Sequence, residues 1–367
     1  MAAVRKALIA AAVAAFAALL GRAFLQIKEI SLASREIPVK RLNCQHLKNI
    51  DYGAEDITIL KDGLAFLSTG LKYPGLPSFS DEPGKMYVLD LLQPKMSPVE
   101  LQIKGQLDLK SFNPHGISVY EDETDDSIYV FVVNHPEHKS QVEIFRFEEE
   151  DTLVHLKTIT HSLLHSVNDI VAVGVEHFYA TNDRYFQHEA LQLLTFIFDL
   201  YWCEVVYYSP QEVRVVAGGF KSANGINISP TDKNKPFFVL FFSYRFIYVS
   251  DIMDHEIDIF KRNEEEQLAY VKSVAVGSLC DNIEVDHRTG DIWLGCHPNG
   301  LKLLKFDPED PPGSEVIRIK NIHSERPILS LEYGDDGRQL MASTVAAPYE
   351  GKLLIGSVFH KALHCVL

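Results

Sequence analysis

The chain has 367 residues, 46% of them hydrophobic, and a formal net charge of −15 at neutral pH. This acidic balance argues against a nucleic-acid partner, because phosphate binding depends on Lys and Arg side chains that neutralise the backbone. The length exceeds that of most single domains but is typical of a β-propeller, in which each blade packs mainly against its neighbours.

The N-terminus has the pattern of a secretory signal. Arg5 and Lys6 precede an apolar run over residues 7–20. The run is short for a membrane span, and no small-x-small cleavage site is evident after it. Residues 1–28 are therefore predicted to form a cleaved signal peptide or an uncleaved signal anchor, whose apolar residues continue to Ile27 along a lipid surface. The predicted location is secreted or membrane-associated.

A short phrase recurs along the rest of the chain at a nearly constant interval: a polar residue, a small or polar residue, and an alternating apolar strand. Such an interval, with several short strands between copies, is typical of propeller blades. Residues 40–367 are therefore predicted to form an all-β, six-bladed β-propeller. Copies are placed at Glu55, His115, Asn168, Asn224, Asn282 and Gly351–Ile355.

The repeat also predicts a metal site. Equivalent positions on the innermost strands all face the central axis, so residues distant in sequence come together there. Here they supply carboxylate and amide oxygens with one histidine beside them, and oxygen ligands of this kind suit calcium. A single Asn-Asp or Asp-Asn pair would more often be a turn or a cap.

The five cysteines are predicted to form one disulfide and to leave three free thiols. Export makes disulfides possible. Cys44 precedes the first blade and Cys365 lies two residues from the end of the sequence, so this pair is predicted to join the two ends of a closed propeller. Cys203, Cys280 and Cys296 are expected to be buried free thiols. Catalysis by Cys296 is disfavoured, because no His-Cys-Asn pattern accompanies it.

Two unusual features follow the fourth copy of the repeat. Asn227-Ile228-Ser229 matches the N-glycosylation sequon but lies in a predicted inner strand, so it is expected to be unmodified. Residues 231–246 contain an apolar insertion that is too short to span a bilayer and prone to aggregation if exposed. The alternatives are a lipid-contacting hairpin, a surface loop, and an error in the gene model.

Several longer phrases are distinctive. They are residues 111–118 (SFNPHGIS), 132–136 (VVNHP), 223–230 (ANGINISP), 295–300 (GCHPNG), 351–356 (GKLLIG) and 359–363 (FHKAL). In these phrases the chain resembles the serum paraoxonase/arylesterase family, and the resemblance covers nearly its whole length. It implies a six-bladed propeller with two calcium ions on its axis, which hydrolyses lactones and aryl esters and, as a side activity, organophosphate triesters.

The resemblance also assigns calcium ligands by motif. For the catalytic ion they would be Glu55, Asn168, Asn224, Asp281 and Asn282. For the structural ion they would be Asp56, Asp169 and the backbone carbonyl of Ile117. Neighbouring residues on a strand point to opposite sides. The pairs Glu55/Asp56 and Asn168/Asp169 are therefore each expected to serve both ions.

The same resemblance implies a catalytic histidine pair. His115 would take a proton from water and His135 would relay it, while calcium polarises the carbonyl group. The alternative for either histidine is a hydrogen-bonding role beside the metal. Tyr73 and His297 would line the pocket or assist, with His297 at its mouth, and Ser222 would alter the pocket width.

One departure and one rival function accompany this interpretation. Relatives have histidine where this chain has Arg184, a permanent cation. The rival is a calcium-stabilised propeller that binds lipid or lipoprotein without catalysis and needs no His115. A Ser-His-Asp esterase is disfavoured, because the Gly-x-Ser-x-Gly motif is missing. The expected partners are a lactone or ester substrate and a lipid membrane or lipoprotein surface contacted by the N-terminal helix, and a homodimer is left open.

Overall fold

A ring of β-sheets forms the body of the protein. The computed structural model describes residues 2–148, 151–230 and 245–367. Within these ranges the strands form six sheets of four or five strands, and the inner strands of successive sheets contact each other in a closed cycle. The prediction of a six-bladed β-propeller is confirmed.

The first three blades follow the chain from the axis outward. The first contains β2 (Asp56–Ile59), β3 (Leu64–Thr69), β4 (Lys85–Asp90) and β5 (Val99–Glu100). The second contains β7 (Pro114–Glu121), β8 (Ile128–Asn134), β9 (Gln141–Glu148) and β10 (Thr152–Ile159), with the short β6 (Gln102–Lys104) parallel to β10. The third contains β11 (Val167–Gly174), β12 (His177–Asn182), β13 (Cys203–Tyr208) and β14 (Val213–Phe220), with helix α2 (Glu189–Ile197) after β12.

The last three blades complete the ring. The fourth contains β15 (Ala223–Ile228), β16 (Phe246–Asp251), β17 (Glu256–Arg262) and β18 (Leu268–Ala275). The fifth contains β19 (Leu279–Val285), β20 (Ile292–His297), β21 (Ser314–Lys320) and β22 (Ile328–Asp335), with the short helix α3 (Gly300–Lys305) after β20. The sixth contains β23 (Ser343–Tyr349), β24 (Lys352–Ser357), β25 (Leu363–Val366) and β1 (Asn43–His46).

The two ends of the propeller are joined in the sixth blade. Strand β1 pairs with β25 in antiparallel register, which sets Cys44 directly opposite Cys365. These two cysteines form a disulfide, as predicted. In the chain-entropy model, closing a loop of this length stabilises the fold by about 5 kcal/mol.

A second disulfide, between Cys280 and Cys296, corrects the cysteine assignment. The expectation that both were free thiols was wrong, because they lie opposite each other on β19 and β20, a pairing that only the strand register defines. Cys203 is the one free cysteine among the residues described, and it is buried as expected.

The sixth copy of the repeat was assigned to the wrong strand. Gly351–Ile355 falls largely in β24, the second strand of its blade, and the inner strand is β23. Both strands are mostly buried and rich in small or apolar residues. Their composition therefore does not reveal which of them lines the axis.

Most inner strands carry a β-bulge near the axis, in which two residues lie opposite one on the second strand. The bulge redirects side chains, so simple alternation does not hold there. The bulged pairs in the described strands, each with its opposite residue, are His115-Gly116 with Val133, Asn168-Asp169 with Thr181, Asn224-Gly225 with Ser250, Asp281-Asn282 with Gly295, and Thr344-Val345 with Gly356.

This register also corrects the fifth copy of the repeat. The pairs Ala223↔Asp251 and Cys280↔Cys296 precede their bulges in the same way. Asp281, rather than Asn282, therefore matches Asn224. The sequence match failed because Asn282 is followed by isoleucine, which imitates the repeated phrase.

Helix α1 (Ala2–Ile30) is longer than the apolar run that predicted it. Within the described chain it is the one helix long and apolar enough to cross a membrane by length and composition. Most of it is exposed, but its C-terminal end contacts α2 and the propeller. The carbonyl of Ser31 accepts from the Gly300 N–H at 2.8 Å, and the Ile30 carbonyl lies 2.9 Å from His255 Nε2.

The apolar insertion lies largely outside the described residues, which resume at Arg245. Its flanks are paired: the Ser229 N–H donates to the Phe246 carbonyl at 2.8 Å, and the Phe246 N–H donates to Ser229 Oγ at 2.9 Å. The segment therefore connects two strands whose pairing is already complete. Asn227 lies on inner strand β15, as predicted, and its amide donates to the Ile283 carbonyl at 2.7 Å.

Candidate active site on the propeller axis

Each bulge places two consecutive residues near the axis. The first residues of all blades occupy one set of equivalent positions, and the second residues occupy another. Glu55 and Asp56 take these positions in the first blade, because the Asp56 N–H donates to Ser68 Oγ as the Asp169 N–H donates to Thr181 Oγ1. The first ring is then Glu55, His115, Asn168, Asn224, Asp281 and Thr344. The second ring is Asp56, Gly116, Asp169, Gly225, Asn282 and Val345.

Two positions of the second ring require glycine because neighbouring blades approach closely. A Cβ atom on Gly116 would lie 2.4 Å from Asp169 Oδ1, and one on Gly225 would lie 2.3 Å from the Asp281 carbonyl oxygen. Any larger residue would force the strands apart. The glycines of the repeated phrase thus permit the packing that surrounds the carboxylates.

All five predicted ligands of the catalytic ion have a buried oxygen without a hydrogen-bond partner. We call this set the oxygen cluster: Glu55 Oε2, Asn168 Oδ1, Asn224 Oδ1, Asp281 Oδ1 and Asn282 Oδ1. Leaving one such atom unpaired costs about 1–3 kcal/mol, so five together indicate a bound group. Carboxylate and amide oxygens are ligands that suit calcium.

Amide oxygens are essential to this fit. In the parts of the chain that are described, no group of three or more His, Cys, Asp and Glu side chains is arranged to hold a metal. The oxygen cluster has two carboxylates, and its other three oxygens come from asparagines. Two of these amides are oriented by their NH₂ groups: Asn282 donates to Glu55 Oε1 at 3.0 Å, and Asn168 donates to Asp183 Oδ2 at 3.4 Å.

The electrostatics of the site also favour a cation. Burial raises the pKa of Glu55 well above its ordinary value, and the nearby charges of Asp281, Asp56 and Asp169 raise it further. A bound cation would reverse this effect by stabilising the ionised carboxylate.

The carboxylates of the second ring tie neighbouring blades together. Asp56 accepts from the N–H groups of Ile57 and Ile117, both at 2.8 Å. Asp169 accepts from those of Ile170 and Ile226, both at 2.7 Å. Each carboxylate thus bonds its own inner strand and that of the next blade. The predicted role of Asp56, Asp169 and the Ile117 carbonyl as ligands of a second ion remains a prediction.

Replacing Asp169 with alanine should lower stability. Two buried backbone donors, the N–H groups of Ile170 and Ile226, would lose their acceptor, at about 1–3 kcal/mol each. A bound ion that stabilises only the folded state would add to the loss. Asp169→Asn is the control, because it keeps an acceptor oxygen and removes the charge. Thermal melts with and without calcium measure both effects, and an unchanged melting temperature in Asp169→Ala would contradict this role.

The two predicted catalytic histidines lie side by side. His115 Nδ1 is 3.0 Å from His135 Nε2, and His115 Nε2 is 3.7 Å from Glu55 Oε1. Burial lowers the pKa of His115 well below its ordinary value, with the charges of His135 and Arg184 adding to the shift. Burial likewise lowers the pKa of His135 to about 4. Both rings are therefore neutral near pH 7, so His115 can accept a proton.

His297 lies deeper than predicted. It was placed at the pocket mouth, but its side chain is buried and its Nε2 is 3.0 Å from Asp281 Oδ2. Its Nδ1 is buried without a partner. The contact orients Asp281, so that Oδ1 remains free within the oxygen cluster.

Four residues of the oxygen cluster, Glu55, Asn168, Asn224 and Asp281, line a mainly apolar cavity of about 330 Å³. The cavity wall includes the predicted Tyr73 and Ser222 together with His115 and His297. The end of α1 also contributes, through Ile27 and Ile30, and α2 contributes Leu193 and Phe196. The two helices therefore form part of the cavity wall.

Arg184, which departs from the family pattern, forms one side of this cavity. Its guanidinium carbon lies 4.3 Å from the centre of the Tyr73 ring, and its Nη2 is 3.4 Å from the Pro74 carbonyl. The Tyr73 hydroxyl in turn donates to Asp183. The arginine thus stacks on a tyrosine whose ring centre is 5.3 Å from that of His115.

The sequence reasoning missed two contributors to the site. Thr344 completes the first ring, and its hydroxyl donates to the Glu55 carbonyl at 2.6 Å. Asp183 accepts from Asn168, Tyr73 and Ser166, so it orients a predicted metal ligand. A search for a polar residue before each inner strand could have found Thr344, but no sequence spacing marks Asp183.

Comparisons with known proteins find relatives along nearly the whole chain. A family model described as Arylesterase matches residues 36–367. Serum paraoxonase/arylesterase 2 of Gallus gallus is 51% identical, with 99% of each chain covered. The Homo sapiens protein of the same name is 52% identical, with 95% of this chain and 96% of that protein covered. Serum paraoxonase/lactonase 3 of Homo sapiens is 49% identical at the same coverage.

Proposed function

This chain belongs to the arylesterase family, and from that premise we propose that it hydrolyses aryl esters and lactones with calcium bound by the oxygen cluster. The observation that carries the calcium assignment is the set of five buried, unpartnered carboxylate and amide oxygens, four of whose residues line an apolar cavity. Beside this set lies a neutral histidine pair. The site therefore has candidate ligands for a cation and a candidate general base.

In the proposed mechanism His115 is the general base. His115 Nδ1 lies 3.0 Å from His135 Nε2. The mechanism assigns the proton of this contact to His115 Nδ1, which leaves His115 Nε2 free to accept a proton from water. His135 holds the imidazole in this tautomer and provides the next position for the proton. When bound, calcium would polarise the carbonyl group and stabilise the negative charge that develops on its oxygen.

We further propose that a second, structural calcium ion uses the second ring. Asp56, Asp169 and the Ile117 carbonyl are the candidate ligands. Each carboxylate oxygen of the two aspartates accepts a backbone hydrogen bond and retains lone-pair capacity for a cation. Such an ion would reinforce the connections between blades.

The cavity lining favours apolar substrates. The lining surface is mainly apolar, with leucine and isoleucine side chains its most frequent apolar members. An apolar acyl chain or aromatic leaving group would therefore bind along the wall, with the ester or lactone carbonyl toward the oxygen cluster. Organophosphate triesters are proposed as lesser substrates of the same site.

A secreted or signal-anchored location accompanies this function. The two disulfides suit an oxidising compartment. We propose that α1 and α2 face a lipid membrane or lipoprotein surface, because exposed apolar side chains cover both helices near the cavity entrance. These side chains include Leu20, Phe24 and Leu25 of α1, Leu191, Leu193 and Leu194 of α2, and Phe198 just after it.

The experiment that tests the function is hydrolysis of phenyl acetate and a simple γ-lactone by purified protein, with and without a calcium chelator. We expect turnover of both substrates, loss on chelation, and recovery when calcium is restored. Calcium binding without any hydrolysis would instead support a non-catalytic propeller that binds lipid.

Deleting residues 234–245 should raise soluble yield and leave hydrolysis equal or higher. The hydrogen bonds between Ser229 and Phe246 involve no deleted residue, and the deletion removes one strand hydrogen bond, from the Arg262 N–H to the Arg245 carbonyl at 3.0 Å. Loop length itself matters little, since each doubling costs about 0.6 kcal/mol in closure entropy. The six consecutive apolar residues from Phe237 to Phe242 favour association if they are exposed. Loss of hydrolysis in a folded deletion variant would show that the segment is a functional element.

A further inference from the structure

The Cys280–Cys296 disulfide lies directly beside the oxygen cluster. Its two cysteines face each other on β19 and β20, immediately before the bulge that carries Asp281 and Asn282. The residue after Cys280 is Asp281, and the residue after Cys296 is His297. These two side chains are in contact, with His297 Nε2 3.0 Å from Asp281 Oδ2. The disulfide therefore links the backbone at the base of both side chains.

Hydrogen bonds hold the equivalent place in three other blades. The pairing just before each bulge shows which residue corresponds to Cys296. It is Asn134 in the second blade, Asn182 in the third and Asp251 in the fourth. In each case its side-chain oxygen accepts from the backbone N–H two residues before the first-ring residue. The donors are Asn113 at 2.9 Å, Ser166 at 3.0 Å and Ser222 at 3.1 Å.

The fifth blade lacks a comparable side-chain acceptor at this place. A cysteine sulfur is a weak acceptor and cannot replace a carboxylate or amide oxygen. Cys296 is bonded instead to Cys280, its partner across the strands. In the other three blades, side-chain hydrogen bonds at this position hold the backbone that precedes His115, Asn168 and Asn224. In the fifth blade a covalent bond takes their place.

The surroundings of the disulfide make it a permanent connection. Cys280 is 1% exposed and Cys296 is 0% exposed, within an apolar cluster that includes Ile283, Leu294 and Ile319. A thiol reductant would not reach the sulfur atoms in the folded protein. The backbone of this bulge is therefore fixed regardless of the external redox state.

We propose that the Cys280–Cys296 disulfide positions Asp281 and His297, and thereby sets the calcium affinity of the oxygen cluster. This inference rests on the proposed function. The disulfide contributes no ligand; it holds the Asp281 carboxylate at the place where the cation binds. Residues that orient metal ligands typically change metal affinity by about 10- to 100-fold when they are replaced.

The test compares two variants of the full chain that each lack one disulfide. C280A/C296A removes the connection beside the site, and C44A/C365A removes the closure of the ring. Isothermal titration measures calcium binding, and initial rates are measured across calcium concentrations. The relevant calcium-binding step is the one that Asp281→Ala abolishes. We expect C280A/C296A to raise the Kd of this step by about tenfold or more. The calcium concentration that gives half-maximal hydrolysis should rise by the same factor.

The control should separate positioning from stability. C44A/C365A should lower the melting temperature and change this Kd less than twofold. If it does not fold, Ile319→Ala replaces it as the destabilised control, because Ile319 is buried in the fifth blade and supplies no oxygen to the oxygen cluster. If C280A/C296A does not fold, Cys280→Val/Cys296→Ala fills more of the vacated space. Failure of both to fold would make the disulfide purely structural and overturn the inference.

The remaining outcomes identify which proposal fails. An unchanged Kd in folded C280A/C296A, or an equal rise in C280A/C296A and the destabilised control, would overturn the positioning role alone. Three free thiols in denatured, unreduced C44A/C365A, which retains only Cys203, Cys280 and Cys296, would show that the Cys280–Cys296 disulfide does not form and would overturn the inference. Wild-type protein that binds no calcium would overturn the proposed function, and this inference with it.

Discussion

Replacing Asp281 with alanine should remove nearly all hydrolysis of aryl esters and lactones while the propeller stays folded. Asp281 and Glu55 are the two carboxylates of the oxygen cluster, and calcium held mainly by neutral amide oxygens would bind weakly. The change also removes the hydrogen-bond partner of His297. Hydrolysis assays at ordinary calcium concentration and thermal melts measure the two effects.

The control for this prediction is Asp281→Asn. It keeps the size of the side chain and an oxygen in the cluster, so a large loss of calcium affinity in this variant isolates the contribution of charge. The second-ring carboxylates and both disulfides are unchanged in the two variants, so each should retain a cooperative melt. More than a tenth of wild-type activity in Asp281→Ala would contradict the metal assignment.

Replacing His115 with glutamine should lower hydrolysis by about 10²- to 10⁴-fold, the usual contribution of a general base. Glutamine can still form hydrogen bonds in this buried position, but it cannot accept the proton of water at neutral pH. Calcium affinity should change little, because His115 lies beside the oxygen cluster and supplies none of its oxygens. Steady-state assays and calcium titration of the purified variant measure both quantities.

His135→Gln is the matched comparison for the base. His135 faces His115 across a 3.0 Å contact, so its replacement should reduce hydrolysis less than His115→Gln does. A loss below tenfold in His115→Gln would assign the base elsewhere, and His297 would then be the next candidate. Equal losses in both histidine variants would mean that the two rings act as one unit.

The sequence by itself determined the blade count, the polar character of the residues on the axis and the closure of the ring. A repeated phrase is visible in sequence because every blade meets the same packing requirement, with a polar residue at the axis and a buried strand behind it. Glu55, Asn168 and Asn224 were recognisable for this reason. The Cys44–Cys365 pair followed from the need of a closed propeller to join its ends.

The tertiary structure alone decided the register, because register depends on which residues face each other across two strands. The bulges place Asp281 level with Asn224, and they bring Cys280 opposite Cys296. Neither pairing leaves a periodic signal in the sequence. Thr344 contacts Glu55 between the sixth and first blades, a contact that forms only when the ring closes. Asp183 contacts Asn168 within the third blade and Tyr73 of the first blade, so the fold rather than any sequence spacing brings it to the site.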